Sequence, residues 1–313
     1  MKTFDQITFD GSPTVLAAWP GMGNVGLIGV DYLRRKLGAV LFAEIDMSPY
    51  FIPDSIIVKN GIAEFPEIPS ASFYYTKNPD LIIFECNAQV AGREGIMVIK
   101  NILDIITQHP VRNIFTFAAF AQPMSHQDDS HVLYACNSPG FLDGLNHFGL
   151  NPMPDGYIAG QNGLLLGVAA SRNVPSACLL GTIPSYAINL SYPKASLELV
   201  KSICGLLNLE IDYTELLEGV EAMAQQFAMV EERIRELTPF VKEEEEDEEI
   251  SSVDEEKVPH YVMDKIEKMF VVAAKDKSMA TELKKELDRW KLFELYENRF
   301  LDLFDENKRK KQD

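Results

Sequence analysis

The sequence predicts an α/β fold: a mainly parallel sheet covered by helices on both faces, followed by a helical C-terminal extension. Three observations carry this. Runs rich in β-branched residues alternate with helical patterns through the first two-thirds of the chain. Two of those runs, Leu81-Ile82-Ile83-Phe84 and Ile114-Phe115-Thr116-Phe117, are almost continuously apolar, as strands buried on both faces must be. Beyond Asp212 the strand signals stop and only helical periodicity remains.

Taken in order, residues 14–19, 39–45, 55–59, 62–65, 72–75, 80–86, 113–117, 131–135 and 176–180 read as strands. Asn60-Gly61 separates two of them by two residues that tolerate positive φ, which predicts a tight hairpin inserted in the parallel scheme. Helical patterns fall at 24–37, 93–108, 139–147, 161–171 and 194–207. These elements make residues 1–212 one α/β domain.

Residues 213–241 are different. Asp212 with Glu215 three residues on suits a helix start. Leu216, Val220, Met223, Phe227, Val230, Ile234 and Leu237 then recur in steps of four and three, a heptad seam that ends before Pro239. Such a seam serves either a helix lying on its own domain or a contact between subunits. Residues 242–257 form an acidic, low-complexity run with almost nothing to bury, which predicts a mobile linker. Residues 258–313 then hold two amphipathic stripes. Val262, Ile266, Met269, Phe270 and Ala273 form one; Leu283, Leu287, Trp290, Phe293, Tyr296 and Phe300 form the other. Together they predict a helical hairpin.

Charge excludes some partners. The net charge is −18, divided −7 over residues 1–212 and −11 over 213–313. A surface of this sign repels phosphate backbones and anionic lipid, so neither nucleic acid nor membrane is an expected partner. Met1-Lys2-Thr3-Phe4-Asp5 lacks a basic-then-apolar signal, and no apolar run approaches the length of a membrane span. Cys86, Cys136, Cys178 and Cys204 are dispersed in apolar surroundings, as buried thiols of a cytoplasmic protein would be.

The chemistry-bearing stretch is Pro20-Gly21-Met22-Gly23-Asn24-Val25-Gly26, lying between a strand and a helix. Gly21, Gly23 and Gly26 satisfy G-x-G-x-x-G, and Glu44 and Asp46 end the next strand, where a ribose-binding acid would stand. The same glycines equally let a strand turn tightly into a closely packed helix. Pro20 and Asn24-Val25 stiffen the loop, and the chain after Glu44 departs from a plain βαβ repeat, so no nicotinamide cofactor, and no other, is expected. Loops at the C-terminal ends of parallel strands converge on a ligand edge in open α/β sheets. Gly21, Gly23, Asn24, Gly26, Glu85 and Gln89 are placed there as ligand-binding candidates, with Gln161, Asn162 and Tyr186 from later turns.

Other chemistry is weaker. His126, Asp128, Asp129 and His131 carry zinc-type donors, but on a polar loop without i, i+4 geometry to aim them, so no metal is expected. A thiol nucleophile at Cys86 would follow Glu85, whose charge opposes thiolate formation. No G-x-S-x-G elbow, P-loop or H-E-x-x-H is present.

Ala18-Trp19-Pro20-Gly21-Met22-Gly23-Asn24-Val25-Gly26 resembles the N-terminal motif of the proteasome assembly chaperone family, second-subunit type. Leu81–Glu85 with Gln89, the turn Gly160–Gly163, and Leu179–Tyr186 extend the resemblance over about residues 10–210. It implies a three-layer α/β core related to nucleoside phosphorylases, and a non-enzymatic protein-binding or assembly module acting as a homo-oligomer on an unnamed protein partner. The alternative is a small-molecule or nucleotide-binding enzyme, ligase- or phosphorylase-like, using the glycine-loop cleft. Family members that dock on proteasome α-rings do so through a tail of hydrophobic residue, tyrosine and a final residue. Lys311-Gln312-Asp313 differs from that pattern, so tail docking is not expected.

The charge run makes the first prediction. Limited proteolysis cuts first within 242–257 and leaves a folded fragment ending near Pro239. Nicking of the α/β domain while the run stays intact would contradict the linker assignment.

Overall fold

The computed structural model describes residues 2–3, 7–51, 53 and 55–237, and beyond them 266, 269–270, 273, 279–289, 293, 296 and 300. The acidic run 242–257 lies outside the described residues, as do Val262 and Trp290. The chain divides into two compact units, 1–241 and 242–313.

The first unit is built on a nine-stranded sheet. Its strands are β1 (Lys2–Thr3), β2 (Thr14–Ala18), β3 (Val40–Glu44), β6 (Ala71–Lys77), β7 (Asp80–Cys86), β8 (Asn113–Gln122), β9 (Val132–Cys136), β10 (Asn151–Pro152) and β11 (Ser176–Pro184). Their spatial order is β1-β3-β6-β7-β2-β8-β11-β9-β10. The four central strands, β7-β2-β8-β11, run parallel. The β3-β6-β7 side is an antiparallel meander, and β9 turns antiparallel on β11. Between β3 and β6 the chain makes a separate two-stranded hairpin, β4 (Ile57–Lys59) and β5 (Ile62–Glu64). Its turn residues Asn60 and Gly61 both have positive φ, 51° and 80°, the geometry that matches the twist of paired strands.

Helices cover both faces. They are α1 (Val25–Lys36), α2 (Gly92–Ile106), α3 (Pro139–His147), α4 (Gly160–Ala170), α5 (Pro193–Leu207) and α6 (Thr214–Leu237). The pleat sorts β2 between two cores. Leu16 and Ala18 join Val30, Leu33, Leu199 and Val200 on the α1/α5 side, while Val15, Ala17 and Trp19 join Val98, Ile102 and Leu165 on the α2/α4 side. Leu81 and Ile83 against Ile82 and Phe84 repeat that division in β7. Burial on both faces is why these strands read as unbroken apolar runs rather than alternating ones.

The heptad helix is α6, and its first half lies on its own domain. Leu216 and Phe227 are buried in the α1/α5 core, with Val220 and Met223 packed against it. Ions pin its start. Arg35 meets Glu215 at 2.7 Å, and Lys36 lies 3.4 Å from Asp212 and 3.5 Å from Glu215. Asp212 also caps the helix, its Oδ1 accepting from the Thr214 N–H at 3.0 Å. In the second unit, α7 (Ala280–Arg289) contributes Leu283 and Leu287 to a small core with Ile266, Phe270, Ala273 and Phe300. The two stripes legible in the sequence therefore supply one apolar cluster.

The ionic start of α6 sets a pH response. Hydrogen bonds from Thr214, then Lys36, hold the Asp212 carboxyl below its ordinary 3.8, and Arg35 holds that of Glu215 below 4.5. Groups depressed in the folded state contribute stability above their unfolded pKa and lose it as pH falls through the folded one. Acidification below about pH 4 is expected to release α6 amides to hydrogen exchange before those of the central sheet. Simultaneous loss of protection in both would count against this.

Candidate functional site

The strands β2, β7, β8 and β11 end at one edge of the sheet, and the loops after them hold most of the candidate residues. Gly23 has φ +60° and Asn24 φ +53°, so the chain turns left-handed for two residues between β2 and α1. A short 3₁₀ turn, Met22–Asn24, results. The Gly23 N–H donates to the Ile188 carbonyl at 2.9 Å, and the Gly23 carbonyl accepts from Tyr192 N–H at 2.9 Å. The Asn24 N–H donates to the Gly21 carbonyl, also at 2.9 Å. The segment after β11 therefore occupies the Gly23 N–H, and the loop itself occupies that of Asn24, two donors that a phosphate would otherwise need. Gly26 serves packing: a Cβ there would lie 2.2 Å from the Phe117 carbonyl oxygen, so α1 rests its first turn directly on β8.

The remaining candidates interlock. Gln89 Nε2 donates to the Pro20 carbonyl at 2.7 Å, and Gln89 Oε1 accepts from the Gln161 N–H at 3.0 Å. Gln161 Oε1 accepts from the Val90 N–H at 3.0 Å. Asn162 Oδ1 accepts from Trp19 N–H at 3.3 Å, while its carbonyl accepts from Thr116 Oγ1 at 2.7 Å. One lattice thus ties the loop after β2, the loop after β7 and the start of α4. Trp19 Nε1 and Gln161 Nε2, both buried, have no hydrogen-bond partner among the described residues.

Glu85 and Tyr186 stand apart from this lattice. Glu85 points to the α1 side, where Arg34 Nε donates to both carboxylate oxygens at 2.8 and 3.0 Å. Burial pushes its carboxyl above the ordinary value while Arg34 pulls the other way. Arg34, which also lies over the Tyr74 ring at 4.7 Å, is a partner the sequence reading missed. Its signal was the cationic run Arg34-Arg35-Lys36 facing isolated acids elsewhere. Tyr186 accepts the His126 N–H at 2.9 Å through its hydroxyl.

The histidine loop is held by a cation. Lys194 Nζ donates to the carbonyls of His126 and Gln127 at 3.2 Å each and to that of Asp128. Among the described residues no group of three or more His, Cys, Asp or Glu side chains gathers within metal-binding reach. Beside this loop lies a cavity of about 360 Å³, lined by His126, Tyr192, Lys194, Val220 and Phe227 among others. No local pattern marks it, because three segments separated by dozens of residues meet there.

All four cysteines are free. Burial pushes the Cys86 thiol up to about 11 and that of Cys178 to about 12. For Cys86 the cause is desolvation and not the neighbouring carboxylate: the pleat sends Glu85 to the opposite face. Neither thiol provides a thiolate near neutral pH.

A mainly parallel sheet covered by helices on both faces, with the loops after β2 and β7 tied to the start of α4, defines the class of α/β domain. The family model described as the PAC2 family matches residues 15–231, and the chain belongs to that family. The uncharacterised protein MJ1210 of Methanocaldococcus jannaschii is 28% identical over 210 residues, 66% of this chain and 78% of that protein. PbaB of Pyrococcus furiosus, an archaeal proteasome activator, superposes with a TM-score of 0.62 at 26% identity, covering 74% of this chain and 97% of that one. PbaA of the same organism, an archaeal homolog of proteasome-assembly chaperone, gives 0.58 at 21% identity, covering 73% and 91%. No helix among the described residues is long and apolar enough to cross a membrane.

The loop geometry predicts two distinct penalties. Gly26→Ala forces a Cβ into the β8 backbone and should cost about 1–3 kcal/mol by overpacking. Gly23→Ala imposes a left-handed conformation on a residue with a side chain and should cost about 1–2 kcal/mol. Urea denaturation measures both, and an unchanged midpoint for Gly26→Ala would show that α1 shifts freely off β8.

Proposed function

We propose that this protein is a non-enzymatic, assembly-chaperone-like binding module that acts as a homo-oligomer on a protein partner. The observation that carries this reading is that most of the polar groups at the sheet edge are engaged within the protein. Gln89 bonds Pro20 and Gln161, Gln161 Oε1 bonds Val90, Asn162 bonds Trp19 and Thr116, and Gly23 bonds Ile188 and Tyr192, where a catalytic cleft would aim such groups at substrate. Membership of the PAC2 family, with PbaB and PbaA as structural relatives, supports the same direction. In this proposal residues 1–212 with the heptad helix form the binding body, 242–257 the tether, and 258–313 a helical extension. The net charge of −18 favours basic protein surfaces over nucleic acid or anionic lipid, and four free cysteines suit a reducing cytoplasm as the working compartment.

Two measurements test the reading. Calorimetric titration with NAD(H), NADP(H) and free nucleosides should give no micromolar binding; such binding would favour the enzyme alternative. Co-sedimentation with 20S proteasomes should be the same for the full chain and for a version lacking residues 306–313. Binding that vanishes on truncation would overturn the part of the proposal that dispenses with a docking tail.

A further inference from the structure

The cavity of about 360 Å³ beside the histidine loop lies where this class of fold holds ligands. The neighbouring parallel strands β8 and β11 end at Gln122 and Pro184, which are register partners. The loop that carries His126 leaves β8, and the segment that leads to Tyr192 and Lys194 leaves β11. The cavity therefore lies beyond the carboxyl ends of both strands, the edge at which open α/β sheets bind ligands. On its other side α6 supplies Val220, Ala224 and Phe227. The braced residues Gln89, Gln161 and Asn162 line none of it. Its volume falls within the roughly 300–1,000 Å³ of small-molecule sites.

We propose that this cavity binds a small aromatic acid, its ring packed among the aromatic side chains and its carboxylate set toward Lys194. The proposal goes beyond the protein-binding reading above and does not depend on it. Two properties of the lining select the ligand. The first is aromatic. The Phe227 ring contacts that of His126, stacked at 6.3 Å and 30°, and that of Tyr192 at 5.0 Å and 58°. A flat ring entering the cavity extends this set by the same offset and edge contacts. The second is charge. The chain carries 47 acidic side chains against 29 lysines and arginines, yet the cavity is lined by Lys194 and by no carboxylate. The carbonyls of His126, Gln127 and Asp128 fix the Lys194 ammonium. They are neutral oxygens, so they hold its charge in place without cancelling it, and an anion is drawn to it. The walls are also set in advance. The Gly23 carbonyl holds the Tyr192 N–H and the Tyr186 hydroxyl holds the His126 N–H, each at 2.9 Å. Little ordering is then left for binding to impose.

Ligand-observed NMR titration of the full-length protein tests this with indole-3-acetate and tryptamine, one ring system bearing opposite charges. Indole-3-acetate should bind with a Kd of about 1 mM or tighter, and at least about fivefold more tightly than tryptamine. The net charge of −18 favours tryptamine over the surface as a whole, so preference for the anion reports the cavity. Ala224→Trp fills the cavity from an exposed position on α6 and should abolish binding. Ala222→Trp, also exposed, points about 200° away around the same helix and should leave binding unchanged. Absence of indole-3-acetate binding at several millimolar overturns the proposal, as does tryptamine binding equally well. Binding that survives Ala224→Trp overturns it too. Should Ala224→Trp fail to fold, Lys194→Gln decides, since it keeps an N–H donor for the loop carbonyls and removes the charge. Loss of the preference between the two probes supports the site, and a preference that persists overturns it.

Discussion

Much of the first unit depends on how closely α1 approaches β8. With 2.2 Å between the Phe117 carbonyl oxygen and the place a Cβ of residue 26 would take, only glycine fits there. Once α1 lies flat on the sheet, the chain leaving β2 must reverse within a few residues, and Gly23 and Asn24 turn left-handed to do it. That turn presents the Gly23 backbone to the segment 188–192, fixing the start of α5 beside α1. The far end of α1 carries Arg34, Arg35 and Lys36, which hold Glu85 on the sheet and the acids that begin α6. A steric constraint at one end of a helix thus positions a second helix and, through ions at its other end, a third.

The same constraint explains why a glycine motif with nucleotide spacing need not hold a nucleotide. A phosphate cradle requires backbone N–H groups that face solvent at a helix start. Here the Gly23 and Asn24 N–H groups both donate to carbonyls of the protein, and Gln89 and Asn162 brace the loop from behind. Spacing alone is indifferent between these outcomes, because glycine is required both by a ligand approaching the backbone and by another strand doing so. What separates them is a segment more than 150 residues downstream.

Legibility in the sequence follows from how local each cause is. The elements of the first unit were legible because burial on two faces leaves unbroken apolar runs, and because Asn60-Gly61 is a local turn signal. The pairs β1 and β10, each two residues long, were not, since two residues carry no period. Gln89, Gln161 and Asn162 could be placed at one edge from topology alone. That they tie this edge's loops together could not be read, because each contact joins a side chain to backbone across about 70 residues or more. The heptad seam stood equally for a subunit contact or a domain face. Burial of Leu216 and Phe227 assigns its first half to the domain.

That assignment takes the first half of the heptad helix out of the question of association and leaves it to other surfaces. Salt distinguishes the kinds of surface that could serve. A basic partner drawn to a chain of net charge −18 is weakened by added salt, through screening of opposite charges. A contact made by burying apolar side chains keeps its strength under the same salt, because screening leaves burial intact. The salt dependence of any complex the chain forms therefore reports which kind of surface makes it.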